Sequence, residues 1–127
     1  MRVLLDTHAL WWLFEGSEKI PKANIEIICA EENEICVSIA SIWEVAIKLN
    51  IGKLEFNGGI VRFIETVEDN GFSFLGISPE HIAKTTELPL IHRDPFDRIL
   101  VAQAMIEKMS IMTTDVNITK YEISVIW

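Results

Sequence analysis

The chain predicts an α/β fold, a mainly parallel sheet with helices on both faces, and three observations lead there. Short apolar runs alternate with longer stretches of helical periodicity along the whole sequence, the order that builds parallel strands joined by crossover helices. The stretch from Ile99 to Met109 is apolar nearly all round, so its helix should lie deep in the molecule. A chain of 127 residues with 50% hydrophobic content suits one domain, residues 1–127, since chains of this size bury roughly two-thirds of the surface their unfolded state exposes.

Taken in order, the apolar run Val3-Leu4-Leu5 predicts a first strand from Arg2 to Asp6, followed by helices over Thr7 to Glu15 and Pro21 to Ala30. Ile35 to Ser38 reads as the second strand, and Ser41 to Asn50 as the helix after it. Gly58-Gly59 marks a loop. Beyond it, Ile60, Phe63, Ile64 and Val67 carry the spacing of one buried helical face, predicting a helix from Ile60 to Asn70. A strand from Phe72 to Ile77 and a helix from Ser78 to Leu88 follow, then a loop from Pro89 to Asp94. Asp94-Pro95 opens the helix that runs to Met109 as an N-cap and a first-position proline. Ser110 to Thr114 is the fourth strand, and Ser124 to Trp127 is expected to add an edge strand.

Composition narrows the setting. The stretch Val3 to Phe14 resembles an export signal, but only Arg2 precedes it and Asp6 and His8 interrupt it, so export is not expected. No run reaches the ~18 apolar residues of a membrane span. A soluble, cytoplasmic protein is expected, with Cys29 and Cys36 as reduced, buried small hydrophobes. The net charge of -8 works against non-specific nucleic-acid binding, which rests on excess Lys and Arg. A nucleic-acid function would therefore require local basic patches, a brief encounter, or a basic protein partner.

Four acids, Asp6, Glu44, Asp97 and Asp115, each sit where an apolar run gives way to a new element. Asp6 and Asp115 read as residues at the carboxyl ends of strands, Glu44 and Asp97 as residues in the first turns of helices. Ligands of open α/β sheets bind outside the carboxyl ends of the strands, where helix amino-termini also point, so the four can converge. Four like charges in one cleft repel, and Mg2+ or Mn2+, which favour oxygen ligands, would relieve that repulsion. Singly, each acid has a structural explanation. Ser41-Ile42-Trp43-Glu44 fits a capping box, Asp97 suits a helix dipole, and Asp6 and Asp115 suit caps. Capping alone does not explain why two acids end apolar strands and two begin the helices beside them.

Asp6-Thr7-His8-Ala9-Leu10-Trp11-Trp12, Ser41-Ile42-Trp43-Glu44-Val45-Ala46-Ile47-Lys48, and His92-Arg93-Asp94-Pro95-Phe96-Asp97-Arg98 continuing to Ala104 occur in that order. This pattern resembles the PIN domain, in particular the VapC-type toxins of toxin–antitoxin pairs, and runs through Thr113-Thr114-Asp115 to Trp127. The third motif is the most specific. The resemblance implies a PIN-like α/β/α sandwich with a central mainly parallel sheet and a Mg2+- or Mn2+-dependent ribonuclease site. It further implies a cognate antitoxin, an RNA substrate and a homodimer. By motif position, Asp6, Glu44, Asp97 and Asp115 match the family's catalytic, metal-holding acids, and Thr113 matches a supporting hydroxyl. Some PIN domains carry a further acid shortly after the last Asp; this chain has Asn117 there, which puts tight binding of a second metal in doubt.

The residue types suit phosphodiester hydrolysis in their own right, because a carboxylate-held divalent metal lowers the pKa of bound water and offsets charge on the phosphate. Arg93 and Arg98 flank Asp97 and are placed either to meet phosphate through forked hydrogen bonds or to pair with the acids. His8 and His92 lack paired metal-ligand spacing and stand as candidates for substrate contact. Asp94 reads as a cap or an outer neighbour of the metal. Trp11, Trp12 and Trp43 read as core or interface packing rather than stacking platforms. Two rival readings are an aspartyl phosphotransferase or phosphatase with Asp6 as nucleophile, and a non-catalytic PIN fold that binds RNA or a partner. Thr7-His8-Ala9 offers the first no second acid, and retention of all four acids argues against the second.

Overall fold

The computed structural model describes residues 1–127. Its strands are β1 (Arg2–Leu5), β2 (Glu34–Ser38), β3 (Ser73–Leu75), β4 (Ser110–Met112) and β5 (Val125–Ile126). Its helices are α1 (Thr7–Phe14), α2 (Lys22–Cys29), α3 (Ile39–Asn50), α4 (Gly59–Asp69), α5 (Pro79–Thr85) and α6 (Pro95–Glu107), with a short 3-10 turn at Ile118–Lys120. The strands form one all-parallel sheet in the order β3-β2-β1-β4-β5. Helices cover both faces, giving the α/β/α sandwich expected from the alternating pattern.

Alternation along the strands divides the core. Val3 and Leu5, Ile35 and Val37, and Met112 face a layer that includes Leu10, Ile28, Val45, Phe63 and Val67 from α1 to α4. Leu4, Cys36 and Ile111 face the other way, onto Leu100, Val101 and Ala104 of α6. Leu100 through Ala104 are all buried, so α6 does lie deep. Phe63 and Val67 are buried and Ile60 and Ile64 pack beside them, the face their spacing predicts. Gly58 enters α4 at φ 91, and a Cβ there would lie 2.6 Å from Cβ of Arg62, so this position requires glycine.

Several boundaries differ from expectation, each for a local reason. α3 starts at Ile39 because Ser38, still extended at the end of β2, accepts the Ala40 N–H at 3.0 Å on its hydroxyl. The expected Ser41–Glu44 capping box is therefore absent, and Glu44 lies in the second turn, not the first. β3 pairs only Ser73 to Leu75, opposite Cys36 to Ser38, because β2 turns into α3 there. β4 ends at Met112, paired with Leu5, because Asp6 already belongs to the next turn. α5 stops at Thr85 rather than reaching Leu88. Cys29 is exposed, contrary to expectation, while Cys36 is buried and its thiol is pushed up to about 11 by burial and by Glu34. No helix is long and apolar enough to cross a membrane.

Candidate metal centre

The strand order reverses direction at β1: the chain moves from β1 out to β2 and β3, then returns to add β4 and β5 on the other side. The crevice at the carboxyl ends of β1 and β4 is thus the switch point where open α/β sheets bind ligands. Because Leu5 pairs with Met112, the next residues, Asp6 and Thr113, stand side by side. Asp6 caps α1, accepting the Ala9 N–H on Oδ1 at 2.7 Å, and its Oδ2 accepts the Thr113 hydroxyl. The Thr113 oxygen in turn accepts the Asp115 N–H at 2.9 Å, so one buried threonine joins the two acids.

The loop before α6 supplies the other side. Asp94 caps α6 by accepting the Phe96 N–H at 2.9 Å, and Pro95 takes the first helical position, as expected. Asp97, in the first turn, points at Asp115 across a histidine. His92 Nδ1 accepts the Asp94 N–H at 3.1 Å, which leaves the ring hydrogen on Nε2. Nε2 donates to Asp115 Oδ2 at 2.8 Å and lies 3.1 Å from Asp97 Oδ2. One ligand-type atom from each of His92, Asp97 and Asp115 falls within 4.8 Å of the others.

Asp6 and Glu44 stand just outside that close group, each occupied by a donor of its own. Glu44 Oε2 accepts from Lys48 Nζ at 2.9 Å, one helical turn on. Ser41, freed from the cap, accepts the Thr7 hydroxyl at 3.1 Å and ties α3 to α1 beneath the site. The four acids nevertheless share one field. Burial, together with the charges of Asp94, Glu44 and Asp115, pushes the Asp97 carboxyl up to about 7. Burial also raises Asp6, against the Thr113 and Ala9 hydrogen bonds. For Asp115, burial is outweighed by hydrogen bonds from His92 and from the Asn117 and Ile118 N–H groups, which hold it below the usual carboxylate range.

A divalent cation fits this donor set: carboxylate oxygens gathered at the switch point, with one of them, on Asp97, pushed toward its protonated form by burial and by its acidic neighbours. Asp97 and Asp115 are positioned to hold such an ion directly, with Asp6 and Glu44 at its edge.

Other expected site residues lie elsewhere. Arg98 is not free for phosphate: its Nη2 donates to Thr85 O at 2.7 Å and its Nη1 to Pro89 O at 2.9 Å, stitching the end of α5 and the following loop to α6. Arg93 is exposed and makes no ion pair. His8 is exposed against Trp12, with ring centroids 5.8 Å apart. Trp11 packs on Phe56 and Phe63 at the core margin, as expected. Trp43 is not core, being 62% exposed. Residue spacing gave no sign of His92 as a partner of two acids, nor of Tyr121, whose hydroxyl accepts the His92 N–H at 2.9 Å and donates to Pro89 O at 3.0 Å. Lys48 carried the one usable signal, its helical i,i+4 distance from Glu44.

A PIN-domain family model matches residues 3–123. Among solved structures, the chain is similar to a chain of VapBC2 from Rickettsia felis, solved bound to a DNA fragment from their promoter. The TM-score is 0.76 at 15% identity, covering 100% of this chain and 99% of that one. It is likewise similar to VapBC-1 from nontypeable Haemophilus influenzae, with a TM-score of 0.71, 16% identity and coverage of 99% and 97%. The PIN domain endonuclease Utp24 is a more distant likeness, with a TM-score of 0.54, 16% identity and coverage of 94% and 74%. Among curated protein sequences, no match was found.

Proposed function

The chain belongs to the PIN-domain family, and from that premise we propose that it is a Mg2+- or Mn2+-dependent endoribonuclease. In this reading it hydrolyses RNA phosphodiester bonds in the cytoplasm as the toxin of a two-protein module, held inactive by a cognate antitoxin and built as a homodimer. The single observation that carries the reading is the convergence of Asp97 and Asp115 within hydrogen-bond reach of one histidine nitrogen at the switch point. The likeness to VapBC complexes supports the antitoxin, and the likeness to the endonuclease Utp24 supports the nuclease.

Asp97, Asp115, Asp6 and Glu44 would hold the ion, with Thr113 in support. A bound divalent ion would supply a water of lowered pKa and offset charge on the phosphate. Thr113 fixes Asp6 and the Asp115 backbone in one rigid unit. His92 orients Asp115 and Asp97 through its Nε2 hydrogen, and Lys48 steadies Glu44. The aspartyl-phosphotransferase alternative is disfavoured, because both Asp6 oxygens already accept hydrogen bonds and the residue is 3% exposed.

The test is cleavage of total RNA by the purified chain in Mg2+, with EDTA and Asp97→Asn as controls. Cleavage is expected only with metal and only in the wild type. Wild-type rates from folded Asp97→Asn would remove the site assignment. Metal-dependent binding without cleavage would favour the non-catalytic alternative.

A further inference from the structure

Between α3 and the start of α6 an open groove of about 520 Å3 is lined by Glu44 and Asp94 together with Lys48, Lys53, Arg93 and Phe96. It gathers two cations that no acid of the chain engages. The protein has 11 Lys and Arg against 19 Asp and Glu. Arg2, Lys48, Arg62 and Lys84 are spent on ion pairs with acids, Arg98 on carbonyls, and Lys19 lies over the Trp12 ring. Lys53 and Arg93 are exposed and unpaired, and both face this groove.

The groove also has an aromatic rim. Trp43, on the outer face of α3, meets Phe96 edge to face with ring centroids 5.5 Å apart and leaves 62% of its surface to solvent. An aromatic pair beside unpaired cations, opening onto a carboxylate site, is the combination that holds single-stranded nucleic acid: cations track the phosphates and rings stack the bases. An apolar peptide would leave the cations unanswered, and an acidic peptide would leave the aromatic face unused.

We propose that this groove is the path by which single-stranded RNA reaches the acids, with phosphates on Lys53 and Arg93 and bases stacked on Trp43 and Phe96. The proposal rests on the nuclease reading for its destination, since it names the substrate's route to that site.

The experiment is fluorescence anisotropy with a fluorescein-labelled 12-nucleotide single-stranded RNA of mixed sequence in EDTA, where binding is measured apart from cleavage. Trp43→Ala is expected to weaken binding roughly tenfold without altering its salt dependence, and Trp43→Phe to restore part of the loss. Lys53→Gln and Arg93→Gln should each weaken binding and lower the slope of log affinity against log salt by about 0.7. Absence of wild-type binding at low salt, or variants that bind like wild type, would overturn the proposal. So would a Trp43→Ala change that instead dissociates a dimer or abolishes only antitoxin binding, since the groove would then hold protein. The two readings fail separately. RNA cleavage with indifferent groove variants removes the path and keeps the nuclease, while groove-dependent binding without any cleavage in Mg2+ does the reverse.

Discussion

Asp97 carries the heaviest electrostatic load of any residue in the site. Its carboxyl titrates near 7 in the folded chain against 3.8 ordinarily, so between these values the native state holds a proton that the unfolded state has released. Stability must then fall as pH rises through that window, by at most about 4 kcal/mol if the whole difference is expressed. Asp97→Asn removes the charge with little change in volume. In EDTA the variant should unfold at higher urea than wild type at pH 8, and the advantage should shrink toward pH 5. Saturating Mg2+ should reverse the order, since binding to the native state stabilises only the chain that retains the ligand. Equal urea midpoints at both pH values would mean that the carboxyl is not under strain. Asp6 directly after β1 and Asp97 in the first turn of α6 stand where their positions in the sequence suggested, whereas Glu44 lies in the second turn of α3 and Asp115 three residues past β4. His92's part was not legible, because its place between Asp97 and Asp115 depends on a loop whose course is fixed by Arg98 and by Tyr121, the latter 29 positions on.

At the level of elements, the loop between α5 and α6 is held by one guanidinium. Arg98→Met would leave the Thr85 and Pro89 carbonyls without their charged donor and should cost about 2–4 kcal/mol. Arg98→Lys should recover only part of this, because an ammonium cannot span the same fork. Urea unfolding, with hydrogen exchange over residues 86–94, would measure both. An Arg98 variant of undiminished stability but weakened RNA binding would restore its role as a phosphate contact. The order and type of every main element could be read from periodicity, but not where each one stops. The start of α3 illustrates why: two serines three positions apart both suit a cap, and the choice of Ser38 depends on where β2 loses its neighbour β3.

Across the whole molecule, the parallel sheet followed from alternation, whereas the strand order could not, since it depends on which crossovers fold back across β1. The net charge of -8 has a kinetic consequence for the proposed antitoxin. If that partner is basic where it meets the acids, raising salt should slow association more than it speeds dissociation. Stopped-flow and dissociation measurements over a salt series would show it, and an association rate indifferent to salt would count against a basic contact. The pairing of Leu5 with Met112 has a further consequence, in time rather than in space. Thr113 reaches Asp6 across 107 positions, so the site cannot close while the chain is still being made and β4 has not yet left the ribosome. A chain made only as far as α6 carries Asp6, Glu44 and Asp97 without Thr113 and Asp115. Until the segment that carries Thr113 has emerged, Asp6 lacks the partner that fixes its second oxygen.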